Sequence, residues 1–297
     1  MAIEVIMPGS CGELVQGIIG GVNFHITCPI KWYSRATVSL IKDKIIEITD
    51  GCTKTAEATR QAIEIIKPEC GVKVDIKSKL AKGKGMASST ADISAALVGT
   101  FKLFERNITP RELARIAVSV EPTDGIFLEG IAVFDHVEGK MLQLLGNAPP
   151  IEIVVLEPPE TVDTVDFNRK KKTGLVKDDP YIKEAFEMAV DGLRSANNRL
   201  IGEAATLSAL LNQSILYKPE LKDIIDVCKR RGGLGVNVAH SGTVIGILVD
   251  KGYGKRLFDK ISHYIPKLWD AYVVEMTNGG PNVTETYPEW KSREVLA

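Results

Sequence analysis

GKGMASSTADISAA, residues 83–96, is the stretch on which the reading of this chain turns. It holds two glycines and four hydroxyl side chains, and it leads into a helical stripe of apolar residues at Ile93, Ala96, Leu97, Phe101 and Phe104. A core gains little from such a run, because small side chains bury little apolar area and glycine is costly in regular structure. Glycines do let a backbone curl so that successive N–H groups point inward. The helix that follows adds its unpaired first-turn N–H groups and the positive end of its dipole. Ser88, Ser89 and Thr90 bring hydroxyls that donate to phosphate oxygens or ligate Mg²⁺, and Lys82 and Lys84 bring charge. The stretch therefore reads either as an anion-holding loop or as an ordinary loop in which Ser89 caps the helix, with Asp92 three residues on. Two familiar phosphate patterns are absent. There is no G-x-x-x-x-G-K-[ST], and Gly83-Lys84-Gly85 fails the dinucleotide fingerprint because Ser88 stands where its third Gly belongs.

Outward from this stretch, both halves of the chain mix helix and strand. Upstream, 3–7 suits a short strand stopped by PGSCG, and 23–41 is rich in β-branched and aromatic residues and suits one or two strands. A strand over 44–49, a helix over 56–66 closed by Pro68, and an alternating strand over 72–78 follow. Downstream, Thr109-Pro110-Arg111-Glu112 starts a helix well, with Thr as N-cap, Pro first and Glu third. Strands over 126–137 and 141–145 meet at a Glu138-Gly139 turn. Asn147-Ala148-Pro149-Pro150 divides the chain into 1–150 and 151–297. The second part offers a strand (151–156), a basic run at 169–172, helices over 180–194, 198–216 and 219–231, two strands within 236–249, a helix over 253–263 and a strand over 271–276. The expectation is an α+β architecture of two lobes, the second a four-strand sheet backed by helices.

Composition bounds the partners. The 297 residues are 44% hydrophobic and 25% charged, enough apolar surface for a real core, and the net charge of −1 favours neither nucleic acid nor an anionic membrane. No apolar run approaches a membrane span, and the first residues, MAIEVIMPGS, lack a signal pattern. Five cysteines without C-x-x-C spacing point to reduced thiols in the cytoplasm rather than to a metal cage or disulfides. Cys11 reads as a small buried apolar residue.

Three further segments carry polar groups. In GGLGVNVAHSGTVIG (232–246), Gly235, Gly242 and Gly246 interrupt strand-like sequence and mark bulges or close backbone approach. His240 beside Ser241 lacks the nucleophile-elbow context, so a turn with a polar His fits better than a hydrolase. In EPTDG (121–125), two carboxylates on a loop either divide metal ligation and proton acceptance or simply make a turn. In PGSCGELVQG (8–17), Ser10, Glu13 and Gln16 are the polar heads, and Glu13 either meets a cationic substrate group or lies on a surface turn. His25, His136 and His263 are scattered, and none reads as a ligand.

In order, 8–17, GMASSTA (85–91) and 235–246 resemble the three motifs of the GHMP kinases: an N-terminal Pro-Gly motif, a central glycine- and serine-rich phosphate loop, and a late glycine-rich motif. The resemblance spans essentially the whole chain. Longer strings, CPIKWYS (28–34), VEPTDG (120–125), GEAATLSA (202–209) and NVAHSG (237–242), resemble the subgroup of that family whose acceptor is L-threonine, supplying threonine phosphate for the cobalamin nucleotide loop. Two departures stand out against the general family. Ala87 replaces the last Gly of the phosphate loop, and no Pro precedes that loop.

The resemblance implies a two-lobed fold with an N-terminal α/β lobe and a C-terminal ferredoxin-like lobe, and a phosphotransferase using ATP and Mg²⁺. Gly83, Lys84, Gly85, Met86, Ala87, Ser88, Ser89 and Thr90 are then the ATP loop, with Lys84 holding charge on the transferring group. Ser89 and Glu121 are then the Mg²⁺ ligands and Asp124 the catalytic carboxylate. Ser10, Glu13, Gln16, His240, Ser241 and Gly242 face the acceptor. The alternatives are a relative acting on another small alcohol such as homoserine, or a regulator that keeps the fold without catalysis. A homodimer stays open.

Overall fold

The computed structural model describes residues 1–162 and 179–286. The basic run at 169–172 lies outside the described residues.

The molecule is built on a pair of long strands, β1 (Ala2–Ile19) and β2 (Val22–Ile41), joined at Gly20-Gly21, both of which take positive φ. Here PGSCG departs from expectation: it does not stop the first strand but lies inside it. The strand survives by bending, with register shifts after Pro8, between Ser10 and Glu13, and between Glu13 and Val15, and with Gly12 at φ +58°. Such irregularities turn a strand and free backbone groups for other partners. The extended residues 23–41 form one strand, β2.

On one side of β1–β2 lie β3 (Ile46–Ile48) and β4 (Gly71–Ser78), and β5 (Ile131–Asp135) and β6 (Lys140–Gly146) form a hairpin on the early part of β2. On the other side, β10 (Asp270–Glu275), β7 (Ile151–Glu157), β9 (Ile245–Asp250) and β8 (Gly235–Val238) make a four-strand antiparallel sheet. It meets β1 at a single register pair, Glu13 with Val238. β11 (Asn282–Thr286) returns to the start of β1.

Helices α1 (Thr53–Ile66), α2 (Ser88–Leu103) and α3 (Pro110–Val120) belong to the first half. The helices α4 (Pro180–Arg194), α5 (Asn198–Leu211), α6 (Leu221–Arg231) and α7 (Gly254–Ile261) belong to the second. The helix expected over 198–216 ends at Leu211 and tightens into one 3₁₀ turn. The expected Thr109 N-cap and Glu112 make a full capping box on α3. The second half is the ferredoxin-like lobe, its helices covering the four-strand sheet. Among the described residues no helix is long and apolar enough to cross a membrane.

Small residues set how closely these parts approach. α2 is buried around nearly its whole circumference, and Gly99 lets it reach β2: a Cβ there would lie 2.6 Å from Val38. Gly235 does the same for α5 on β8, where a Cβ would stand 1.8 Å from the Gly202 carbonyl oxygen. Both are the close approaches that isolated glycines in regular structure mark.

Candidate active site

The loop before α2 is held by β1. Ser10 N–H donates to the Met86 carbonyl (3.0 Å) and Gly12 N–H to that of Gly85 (3.3 Å), so the irregular part of β1 carries the loop. From the second half, Val244 N–H donates to the Lys84 carbonyl (3.0 Å). Gly83 and Gly85 take φ of +72° and +85°, which only glycine adopts at low cost.

The N-terminus of α2 departs from the capped-helix alternative. Ala87, at φ +54°, is the N-cap, and no side chain caps the helix. A left-handed alanine costs about 1–2 kcal/mol, a strain retained at the position where the family pattern has Gly. The first-turn N–H groups therefore face a cleft of about 230 Å³ lined by the loop, by Lys54 and Lys82, and by Glu121 and Asp124. A larger cleft of about 1160 Å³ elsewhere is lined by Lys31, Arg35, Lys77 and Lys79, with Glu129 as its one carboxylate among the described residues. Among the described residues it has neither the glycine loop nor a carboxylate pair, so chemistry rather than size favours the cleft under α2 as the candidate site.

Each loop residue has its own place. Ser88 and Ser89 line the cleft. Thr90 also lines it, but its hydroxyl bonds Thr123 Oγ1 (2.9 Å) and accepts from Asp124 N–H (3.2 Å), so it fixes the carboxylate loop. Lys84 corrects an expectation: its ammonium donates to the carbonyls of Pro158 and Glu160, with Glu157 at 4.0 Å, and the residue is not among those lining the cleft. A buried ammonium needs such acceptors, and these carbonyls reach it first. Lys84→Met is expected to lower stability by about 1–3 kcal/mol, because it leaves those carbonyls without their charged donor. Urea unfolding measures it.

The carboxylate loop follows α3. Glu121 Oε2 is bonded to Lys54 (2.5 Å), while its Oε1 is buried with no hydrogen-bond partner among the described residues. Asp124, partly exposed, begins the 3₁₀ turn 125–127 and lines both the cleft and a smaller cavity of about 40 Å³. Removal from water pushes its carboxyl up to about 6, and a hydrogen bond with Glu13 pulls the other way.

The smaller cavity gathers residues that sequence reading left apart. Glu13 lies in β1, 4% exposed, not on a surface turn. His25 Nδ1 is 3.8 Å from Glu13 and 3.6 Å from Asp124. The histidines are not scattered: His25 and His136 stack at 3.8 Å and 9°, and His240 tilts over them with ring centroids 4.3 and 5.0 Å away. Only His263 stays apart. Sequence offered no local signal for the group, since β2, the end of β5 and the turn after β8 bring it together. The group does not fit a shared metal ion. Imidazole lone pairs lie in the ring plane, and two parallel rings at stacking distance do not aim at one point.

The remaining predicted residues divide. Ser241 lines both cleft and cavity. Ser10 is buried behind the loop, and Gln16 bonds His240 Nδ1 through Oε1 from an adjoining cavity that it lines with Asn212. Gly242 packs backbone to backbone: a Cβ there would lie 2.2 Å from Gly85 N. Cys11 is buried as expected, its thiol pushed up to about 12 by burial.

Known proteins resemble this chain over most of its length. The pattern of the GHMP kinases N terminal domain matches residues 52–128, and that of the GHMP kinases C terminal domain matches 189–267. An L-threonine kinase of Salmonella typhimurium is 32% identical over 283 residues, covering 92% of this chain and 93% of its own. One from Citrobacter freundii is 33% identical over 255 residues, covering 82% and 85%. A homoserine kinase from Cytophaga hutchinsonii superposes with a TM-score of 0.74 over 95% of this chain and 97% of its own. At 16% identity, that likeness concerns the fold.

Proposed function

The chain belongs to the GHMP kinases and is a phosphotransferase acting on an alcohol group, and from that premise we propose that its acceptor is the hydroxyl of L-threonine. The reaction is transfer of the γ-phosphoryl group of ATP to give O-phospho-L-threonine and ADP, in the cytoplasm, for the cobalamin nucleotide loop. The observation that carries this reading is the position of Asp124, which borders both the cleft under the uncapped helix and the small polar cavity. The glycine loop and helix N-terminus at the first suit a polyphosphate, and the polar lining of the second suits the hydroxyl end of a small acceptor.

In this reading residues 1–150 carry the ATP loop and 151–297 brace it through the turn at 239–244. Phosphoryl transfer needs little covalent help, so positioning and charge neutralisation dominate. The backbone of 83–89 and the first-turn N–H groups of α2 receive the phosphates. Asp124 accepts the proton of the acceptor hydroxyl, and Thr90 and Thr123 hold its loop in place. Mg²⁺ fits the hard oxygen donors Ser89 and Glu121, whose buried Oε1 lacks a hydrogen-bond partner among the described residues. When bound, the ion neutralises phosphate charge. Lys54, paired with Glu121, and Lys82 border the same cleft.

The test is ADP release with MgATP and L-threonine, D-threonine, L-serine or L-homoserine, the product identified by phosphorus NMR. The expected outcome is preference for L-threonine with phosphate on its hydroxyl. Preference for homoserine keeps the reaction and changes the acceptor. ATP binding without turnover on any acceptor sinks the reading in favour of a regulator.

A further inference from the structure

An α-amino acid brings a carboxylate into a cavity that already holds Glu13 and Asp124, and an anion placed there needs a cation. None of the nine described residues lining the cavity is Lys or Arg. The side chains there that can become cationic are His25, His136 and His240, and imidazole takes its proton near neutral pH.

The three are not equivalent. A proton on His25 is matched by Asp124 at 3.6 Å and Glu13 at 3.8 Å. His136 stacks on His25, so a proton on both rings would set two like charges at contact distance. His240 is tilted by 56° to His25. Gln16 Oε1 accepts from its Nδ1, which fixes that nitrogen as N–H, so a second proton on the ring goes to Nε2. The proton makes His240 an imidazolium, and an arriving carboxylate offsets its repulsion from His25. The ionisable groups around His240 are His25, His136, Glu13 and Asp124 in the cavity and Asp179 beside the adjoining one. Lys218 contacts the same turn through the Gly242 carbonyl (2.7 Å).

We propose that His240 reads the α-carboxylate of the acceptor, taking up a proton as the anion binds, a role that rests on the proposed transfer to a hydroxyl amino acid and gives it a determinant of specificity. Glu13 then meets the ammonium at the opposite charge. The site selects an amino acid over the corresponding amino alcohol, and it does so less well as pH rises and His240 loses its proton.

The experiment compares L-threonine with L-threoninol, which keeps the amine and the hydroxyl and lacks the carboxylate. The wild-type protein is expected to favour L-threonine by ~10²-fold in kcat/KM, the size of a hydrogen bond to a charged group. His240→Gln is expected to cut that ratio at least tenfold and His136→Gln to cut it less than threefold. KM for L-threonine is expected to rise between pH 6.5 and 8.5 in the wild type and to stay flat in His240→Gln. A ratio kept within threefold in His240→Gln, or lost in His136→Gln, overturns the assignment. If His240→Gln does not fold, calorimetry on the wild type decides: L-threonine binding measured in two buffers of different ionisation enthalpy must show proton uptake, and none overturns it. That measurement needs no turnover. Absence of phosphoryl transfer to L-threonine therefore sinks the proposed reaction, while absence of proton uptake separately overturns the role of His240. Uptake that persists in Asp124→Asn, which lacks the cavity carboxyl held at about 6, supports it.

Discussion

Asp124→Asn lowers kcat by ~10²–10⁴-fold, the contribution of a positioned base, while circular dichroism and ATP binding stay at wild-type levels. The asparagine keeps the size of the side chain and removes the site that, in the proposed reaction, takes the acceptor's proton. The backbone N–H of residue 124 still reaches Thr90 Oγ1, so the loop is not expected to move. The pH profile adds a second expectation. Burial holds this carboxyl at about 6, and only the ionised form accepts a proton, so wild-type kcat/KM rises as pH increases through about 6. Stability runs the opposite way. The folded pKa lies above the ordinary value, so the contribution to stability is complete below the ordinary carboxylate range and is lost as pH rises through about 6. Asp124→Asn is therefore expected to be at least as stable as the wild type at pH 8, by urea unfolding, while turning over far more slowly. Full turnover in a folded Asp124→Asn protein would remove Asp124 from the chemistry.

Gly242→Ala is the second large effect, and it acts at a distance from the reacting atoms. The added Cβ would lie 2.2 Å from Gly85 N and from the Lys84 carbonyl carbon and oxygen, all of them backbone and none able to swing aside. Nor is the turn free to retreat. Lys218 donates to the Gly242 carbonyl, and Val244 N–H holds the Lys84 carbonyl. The loop at 83–90 must shift, with an expected loss of about 1–3 kcal/mol in stability from overpacking. A displacement of about 1 Å near the transferring group is enough for ~10²-fold in kcat/KM for ATP. ATP titration and steady-state kinetics at 15 °C, below the unfolding transition, separate the two effects. An unchanged KM for ATP would mean that this turn does not brace the loop.

Much of this site was legible in the residues, and the part that was not has a physical cause. The loop at 83–90 and the helix after it could be read because their signal is local, small residues and hydroxyls followed by an apolar stripe. The pairing of Glu121 and Asp124 on one loop was visible for the same reason. Strand β1 misled, because Pro and Gly normally end a strand, and only the structure shows Gly9 and Gly12 being used where the phosphate-loop and β8 backbones come close. The histidines were illegible individually. His25 faces Phe134 across the β2–β5 pairing, which brings it to the end of β5, and no spacing in sequence encodes a meeting of residues 25, 136 and 240. Lys84 was misplaced for a different reason. A lysine within a phosphate loop suggests a phosphate partner, but its side chain found backbone carbonyls 74 and 76 residues away.

In the proposed reading, the bent strand β1 serves as a common datum for both substrates. The same few residues suspend the phosphate loop at Ser10 and Gly12, supply Glu13 to the cavity, touch the second half at Val238 and orient His240 through Gln16. Side chains alternate along a strand, so inserting or deleting one residue within 8–17 would misalign nucleotide and acceptor together. A change of acceptor is cheaper to reach from outside this strand, at the rings of β2, β5 and the turn after β8. Libraries aimed at new alcohols would accordingly hold 8–17 constant and vary positions 25, 136, 240 and 241.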